Sequence, residues 1–127
     1  MIRPKYGNKK VTLDGHTFDS RKEAKYYLYL KNLEKLGVIS NLRLQVPYEI
    51  VPAIYETQTV HLKTKDKTVE KCVQKAVHYL ADFVYTVTET GREEVVDVKS
   101  AATREDKVYV LKKKMMRAFN GICIVEV

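Results

Sequence analysis

Two short apolar segments joined by a turn constrain this chain more than any other feature. Residues 81–85 (Ala-Asp-Phe-Val-Tyr) and 95–99 (Val-Val-Asp-Val-Lys) are dominated by apolar and β-branched side chains. The sequence Thr-Glu-Thr-Gly at 88–91 separates them as a turn, so the three segments together predict a β-hairpin. A loop centred in that turn places Asp82 directly opposite Asp97 across the ladder.

The predicted pairing of two carboxylates has an electrostatic cost that a cation would remove. Like charges directly opposite each other repel, and one of the two acids is pushed toward protonation. Lys99 follows Asp97 by two positions, so its amine is expected on the same side of the strand. Oxygen ligands alone favour a hard cation, so Asp82 and Asp97 predict a site for Mg²⁺ or Mn²⁺. A metal held by two carboxylates beside a lysine suits attack of water on a phosphodiester bond.

The charge of the chain favours an acidic partner. The 127 residues have a net charge of +7, and nucleic acid is the commonest acidic partner of a basic protein, although many basic proteins bind nothing acidic. The charge is uneven: residues 1–35 carry +5, residues 36–98 carry −2 and residues 99–127 carry +4. An acidic middle between basic ends is expected of a metal site that also holds a polyanion.

Length and composition predict one domain, residues 1–127, in a reducing compartment. A chain of this length can bury a core without disulfides. Cys72 and Cys123 match no metal-ligand spacing and, without a secretory pattern, predict buried thiols in the cytoplasm. No apolar run approaches the ~18 residues of a membrane span. Residues 1–10 predict a basic N-terminal arm that is either solvated or, through Lys9 and Lys10, bound to phosphate.

The first helix is predicted from Ser20 to Gly37, and its first turn contains a third acid. Ser20 followed by Glu23 fits a capping box, and Gly37 fits a C-terminal stop. Two roles are open for Glu23. Its carboxylate could reach back to a backbone N–H of the cap, or it could point into the site from the edge of the buried helix face.

The segments between this helix and the hairpin predict extended structure. Residues 42–51 alternate apolar and polar side chains, and Gln45 either faces the site or is an ordinary outward polar residue. Residues 52–71 fit an extended loop or a protruding hairpin. Residues 73–87 are predicted to form one long strand that leads into Asp82.

A second long helix is predicted over residues 104–119, and its two faces have different expected roles. An apolar face at helical spacing predicts core packing and comprises Val108, Leu111, Met115, Ala118 and Phe119. A basic flank is either solvated or bound to phosphate and comprises Lys107, Lys113, Lys114 and Arg117. Residues 122–127 predict a short buried strand, so a strand–helix–strand crossover completes a mixed α/β sheet flanked by helices.

These residues together resemble the PD-(D/E)XK nuclease superfamily. Asp82 is followed, after fourteen residues, by Asp97-Val98-Lys99, and the upstream helix with Glu23 is similar to that of the resolvase-like members. Ala81 stands where the superfamily name has proline, and Asp97 stands where glutamate is common, but the set of two acids and a lysine is complete. Several segments also resemble small phage-encoded proteins described only as a domain of unknown function: residues 5–9, 18–24, 45–47 and 79–85.

The resemblance implies a restriction-endonuclease-like αβββαβ core and a function. Asp82, Asp97 and the backbone carbonyl of Val98 would hold Mg²⁺ or Mn²⁺, and Glu23 would complete the site or hold a second ion. Lys99 would orient or help deprotonate the attacking water. The implied activity is hydrolysis of DNA phosphodiester bonds in recombination, repair or replication, for example at a Holliday junction, in the cytoplasm of a bacterial host. The basic residues would position the DNA backbone without reading its sequence.

Two other functions are compatible with the same sequence. A nucleic-acid-binding module could keep the fold without cutting, although the complete set of acids and lysine argues against it. A structural phage protein could instead expose the aspartates to solvent. Symmetric cleavage of two strands would need a homodimer, and the sequence shows no clear dimer seam.

Overall fold

The computed structural model describes residues 10–127, in which eight strands and three helices form a mixed α/β fold. The N-terminal arm, including Lys9, therefore lies outside the described residues, apart from Lys10. In chain order the elements are β1 Val11–Leu13, β2 His16–Phe18, α1 Arg21–Lys35, β3 Ile39–Val51, β4 Ile54–His61, β5 Asp66–Gln74, β6 Val77–Val87, β7 Glu93–Asp97, α2 Ala101–Arg104, α3 Lys107–Asn120 and β8 Val125–Glu126.

A four-stranded sheet in the order β3-β6-β7-β8 forms the centre of the fold. Its pairs are antiparallel except β7–β8, which is parallel because α3 connects the two strands. Phe83 packs with α1 in one buried cluster, and its neighbour Val84 packs with α3 in another. Since adjacent strand residues point to opposite faces, the two helices cover opposite faces of the sheet. The predicted mixed sheet flanked by helices is therefore confirmed.

Helix α1 begins and ends where the sequence predicts. The Ser20 hydroxyl accepts a hydrogen bond from the Glu23 backbone N–H at 3.1 Å, which satisfies a donor of the first turn. Gly37 has a φ of +80°, a left-handed conformation that glycine adopts without steric cost. The Asp14-Gly15 sequence likewise forms the turn between β1 and β2.

The predicted second helix differs from the observed one in its start and in its buried face. Asp106 caps a new helix after α2, because its carboxylate accepts from the Tyr109 N–H at 3.0 Å. Tyr109 and Met116 are buried, so the prediction that the apolar face forms core was wrong for its most exposed members: Val108, Leu111 and Phe119, which are 61%, 56% and 66% exposed. The buried and predicted faces are adjacent, and the large Tyr109 and Met116 side chains fill the space over the sheet instead.

The predicted strand over residues 73–87 is two strands. Residues 75 and 76 interrupt it, so that β5 pairs with β4 in a separate two-stranded sheet while β6 joins the central one. The protruding hairpin considered for residues 52–71 is therefore observed. Cys72 lies on this hairpin and Cys123 precedes β8; both thiols are free but exposed, so the prediction that they are buried was wrong.

The structure contains no candidate membrane span within residues 10–127, where every helix is too short or too polar to cross a bilayer.

Leu30→Ala should destabilise the protein far more than Leu28→Ala on the same helix. Leu30 is 1% exposed in the cluster between α1 and the sheet, whereas Leu28 is 52% exposed. Removing a buried leucine leaves a cavity and costs about 2–5 kcal/mol of unfolding free energy. Urea unfolding followed by circular dichroism measures both values, and equal losses would contradict this assignment of the core.

Candidate active site

The hairpin register brings the two predicted aspartates together. Phe83 pairs with Val96 and Val84 pairs with Val95, a register that puts Asp82 opposite Asp97 as predicted. Strand β8 then fixes the backbone after Asp97: the Val127 N–H donates to the Asp97 carbonyl, and the Lys99 N–H donates to the Val127 carbonyl, each at 3.0 Å. The Asp-Val-Lys segment is thus held between the hairpin and the final strand.

Asp97 is a buried carboxylate with one satisfied and one unsatisfied oxygen. Its side chain is 1% exposed. The Tyr79 hydroxyl donates a hydrogen bond to Oδ2, and the Lys99 Nζ lies 3.4 Å from the same oxygen. Oδ1 is buried and accepts no hydrogen bond from any residue in the described range 10–127. An unpaired buried carboxylate oxygen is costly, so this atom is suited to a ligand that supplies positive charge.

Asp82 is held by two donors but is disfavoured in its charged form. The Val98 N–H donates to its Oδ2 at 2.9 Å, and the Gln45 Nε2 donates to its Oδ1 at 3.3 Å. Burial, followed by the hydrogen bond and the charge of Asp97, raises the pKa of Asp82 to about 8. Asp82 therefore tends to keep a proton at neutral pH when no cation is bound, and it can share that proton with Asp97. The unpaired state of Asp97 Oδ1 is that of the fully ionised pair, which a bound cation would favour.

Gln45 faces the site, which resolves the alternative left open by the sequence. It lies between the ladder pairs Leu44–Phe83 and Val46–Ala81, beside Asp82. Its φ of +51° is left-handed, a conformation that costs a residue with a side chain about 1–3 kcal/mol. The amide Nε2 lies 3.3 Å from Glu23 Oε1 as well as from Asp82, so one side chain bridges the helix acid and the strand acid.

The Glu23 carboxylate points into the site, the second of the two roles that the sequence left open. The backbone N–H of this residue is the donor to the Ser20 cap, whereas its carboxylate accepts from Gln45. The side chain is only 5% exposed, and burial, followed by the charge of Asp19, raises its pKa above the usual range for glutamate. The acid therefore belongs to the cluster around Asp82, with the Gln45 amide between them.

The Lys99 side chain is positioned by a residue that the sequence analysis did not select. Its Nζ lies 4.5 Å from the centroid of the Tyr109 ring, in addition to its contact with Asp97. Its backbone carbonyl accepts a hydrogen bond from the Lys22 Nζ at 2.9 Å. Tyr79, Tyr109 and Lys22 have no motif spacing relative to the aspartates, so only the tertiary structure identifies them.

These residues surround a cleft of about 390 Å³ between the first turn of α1 and the segment after β7. Its lining comprises Asp19, Ser20, Lys22, Glu23, Asp82, Val98, Lys99, Ser100 and Thr103. The lining contains three acids, Asp19, Glu23 and Asp82, and Lys22 and Lys99 supply cationic groups. A cleft with both charges can hold an anionic substrate against a cation.

The donor set fits a hard divalent cation. The carboxylates of Asp82 and Asp97 and the carbonyl of Val98 offer oxygen ligands, and the unsatisfied Oδ1 of Asp97 marks where positive charge is missing. No cluster of three or more His, Cys, Asp or Glu side chains with metal-binding geometry occurs in residues 10–127. The protein would therefore contribute few ligands and leave the rest to water, as is usual for Mg²⁺.

The predicted nucleic-acid-binding residues differ in whether their charge is exposed to solvent or paired within the protein. Lys10, Lys107, Lys114 and Arg117 are exposed. Lys113 instead forms an ion pair with Glu126 of β8, so part of its charge is neutralised within the protein.

The fold and site define a mixed α/β protein in which two facing carboxylates, one of them fully buried, and a lysine lie at a cleft beside the sheet. The chain belongs to the protein family of unknown function DUF1064, whose family model matches residues 3–122. It has no significant match among the curated proteins or among the solved structures.

Asp82→Asn should raise the thermal stability of the protein at pH 8 in EDTA. Asparagine can still accept from the Val98 N–H but lacks the charge that burial and Asp97 disfavour. Because the folded-state pKa of Asp82 lies above the unfolded value of about 4, its stabilising contribution is present at low pH and is lost as pH rises toward about 8. The gain should therefore be small near pH 5 and on the order of 1 kcal/mol, about 3–6 °C, near pH 8.

Scanning calorimetry over that pH range measures the difference. Glu89→Gln, which removes an exposed carboxylate in the turn before β7, is the control and should change little. A melting temperature of Asp82→Asn below that of the parent at pH 8 would contradict the proposed carboxylate repulsion.

Proposed function

We propose that this protein is a metal-dependent DNA endonuclease of the PD-(D/E)XK type. The observation that supports this most is the buried Asp97, whose Oδ1 has no partner among the described residues while Asp82 and Lys99 lie against it. The order of the main elements, α1-β3-β6-β7-α3-β8, matches the αβββαβ core that the sequence resemblance implies. Two acids and a lysine at one end of such a sheet suit phosphodiester hydrolysis.

Asp82, Asp97 and the Val98 carbonyl would hold the metal. When bound, Mg²⁺ or Mn²⁺ supplies positive charge that stabilises charge developing on the phosphate. Tyr79 donates to Asp97 Oδ2 and so leaves Oδ1 as the oxygen available for ligation. Gln45 donates to both Asp82 and Glu23 and fixes the distance between them.

Lys99 acts on the water and on the phosphate. Its amine has the charge of Asp97 on one side and the ring of Tyr109 on another, which restricts its rotamers before substrate arrives. A restricted ammonium donates to a phosphate oxygen at a lower entropic cost, and it orients the attacking water by hydrogen bonding. Lys22, whose Nζ is bonded to the Lys99 carbonyl, adds a second cation at the rim of the cleft.

DNA is the proposed substrate because of the positive charge of the chain and of its α3 surface. The chain has a net charge of +7, and three exposed basic residues lie on α3, the helix that supports Lys99: Lys107, Lys114 and Arg117. Such groups contact phosphates and position a duplex without selecting a sequence. Recognition by backbone shape is consistent with a branched substrate such as a Holliday junction.

Asp97→Asn should abolish cleavage and retain DNA binding. The substitution nearly preserves shape but removes the negative charge and one of the two ligating oxygens, so the remaining neutral amide oxygen holds a divalent cation less tightly than the carboxylate. Cleavage of supercoiled plasmid, a flap and a four-way junction is measured with Mg²⁺ or Mn²⁺ against EDTA. Loss should be about 10³-fold or more, comparable to removing a key electrostatic group from an active site.

A second readout separates loss of metal from loss of chemistry. Mg²⁺ or Mn²⁺ should raise the melting temperature of the parent and not that of Asp97→Asn, with Glu89→Gln behaving like the parent. Equal cutting by the variant would refute the site assignment. If the parent binds DNA and cuts no substrate, the protein is a non-catalytic binding module with this fold.

Lys99→Met should slow cleavage while leaving metal-induced stabilisation intact. Methionine keeps the aliphatic contact with the Tyr109 ring but lacks the ammonium that acts on water and phosphate. We expect a fall in the single-turnover rate of about 10²-fold or more. Lys35→Met, an exposed lysine at the end of α1, is the matched control and should cut like the parent. An unchanged rate in Lys99→Met would remove the lysine from the mechanism.

A further inference from the structure

The hairpin formed by β4 and β5 has little packing against the other elements of residues 10–127. It forms a two-stranded sheet of its own, and its substantial contacts among the described residues are internal. Over residues 54–74 only Gln58 and Val69 are even partly buried, and they are paired with each other. Two-stranded hairpins are marginally stable alone in water. A hairpin of this length with so little burial within residues 10–127 is suited to binding a partner.

The register of this hairpin separates its charges onto two faces. Directly paired residues share a face, and the face alternates along each strand. One face, which we call the lysine face, has the pairs Val60–Lys67, Gln58–Val69 and Glu56–Lys71. The other has the pairs Tyr55–Cys72, Thr57–Glu70, Thr59–Thr68 and His61–Asp66. Lys63 and Lys65 lie in the connecting turn, so the lysine face and the tip are positive while the opposite face is negative.

The lysines are available to an external anion. A hydrogen bond on the hairpin joins the His61 ring to the Asp66 carboxylate at 2.8 Å, on the opposite face. Lys71 lies across from Glu56 in the ladder, yet the pair is not among the salt bridges within residues 10–127. Val60 and Leu62, 41% and 46% exposed, accompany the lysines and provide an apolar surface for sugar carbons.

The hairpin joins the central sheet on the side of the site where β6 begins. Strand β7 runs antiparallel to β6, so Asp97 lies opposite Asp82, the sixth of the eleven residues of β6. The hairpin joins β6 at its first residue through residues 75 and 76, and it leaves β3 at Val51, which pairs with Val77. The base of the hairpin is thus five residues, or about 17 Å, from Asp82 along the strand. A long anionic chain that leaves the cleft in this direction would reach the hairpin.

We propose that the lysine face of the β4–β5 hairpin binds the sugar–phosphate backbone of the DNA that enters the cleft. The proposal rests on the proposed function, from which it takes DNA as the partner, and charge complementarity selects that partner for this face. Eight residues of β4 span about 25 Å, enough to follow several phosphates of one strand. The contacts are to the backbone, so they orient the duplex and do not read bases.

The test is the salt dependence of binding in EDTA, where no cleavage occurs. Binding of the full chain to a fluorescent duplex and a four-way junction is measured from about 50 to 200 mM salt. In the triple variant Lys65→Gln/Lys67→Gln/Lys71→Gln, the slope of log K against log salt should become shallower by about 2–3, since each phosphate contact contributes about 0.9. Affinity should fall tenfold or more at the low end of that range.

The charge-matched control is Lys25→Gln/Lys31→Gln/Lys35→Gln on the exposed side of α1. It removes the same charge from another surface and should change the slope by less than about 1. Circular dichroism melts should match for both variants, because neither set of lysines is buried.

The outcomes separate the hairpin from the active site. A slope in the hairpin variant equal to that of the parent overturns the hairpin inference and leaves the endonuclease proposal intact. DNA binding that depends on the hairpin, without cleavage of any substrate in Mg²⁺, supports the inference and refutes the nuclease. A dimer that becomes monomeric in the hairpin variant, with an unchanged slope, would show that a second copy of the chain covers this face and would overturn the inference.

Discussion

The proximity of Asp82 and Asp97 is the constraint around which this structure is arranged. Once β6 and β7 pair in the observed register, the two acids face each other, and the sheet gives them no room to separate. The surrounding groups offset only part of the repulsion between the two carboxylates. Val98 and Gln45 donate hydrogen bonds to Asp82, while Tyr79 and Lys99 contact Asp97. One buried oxygen, Asp97 Oδ1, still has no partner within residues 10–127. A site that is balanced except for one missing positive charge is what cation binding requires.

Holding these acids together costs stability that the two buried clusters must offset. Glu23 and Asp82 both have pKa values raised mainly by burial, and Gln45 adopts a left-handed conformation inside a strand. Each of these features is unfavourable alone. Selection that acted on stability and nothing else would remove them. They occur within one network, because Gln45 bonds to both acids. Two buried acids and a left-handed residue that bridges them are better explained by function than by packing.

Local patterns in the sequence were sufficient to predict parts of this fold. Helix α1 was predicted within two residues because its cap and its terminal glycine act through their own backbone. The Asp82–Asp97 register followed from a short turn, since a tight loop leaves two strands few ways to pair. The final crossover was predictable because β7, α3 and β8 follow one another closely in sequence, so the two strands are expected to join the same sheet.

Features that depend on a third element could not be predicted in this way. Helix α3 has two adjacent apolar faces, and only the sheet beneath decides that Tyr109 and Met116 are buried while Leu111 is exposed. The positive φ of Gln45 has no local sequence signal, because glutamine is not a residue that favours it. Tyr79 and Lys22 contact the site through long side chains, whose direction depends on sheet twist and helix position.

The charged faces of the β4–β5 hairpin could not be predicted from the sequence for a related reason. Residues 36–98 sum to −2, and only the ladder register shows that Lys67 and Lys71 share one face of the hairpin while Asp66 and Glu70 lie on the other. A net charge is a property of composition, whereas an electrostatic surface is a property of register, so an acidic segment can present a basic face to DNA.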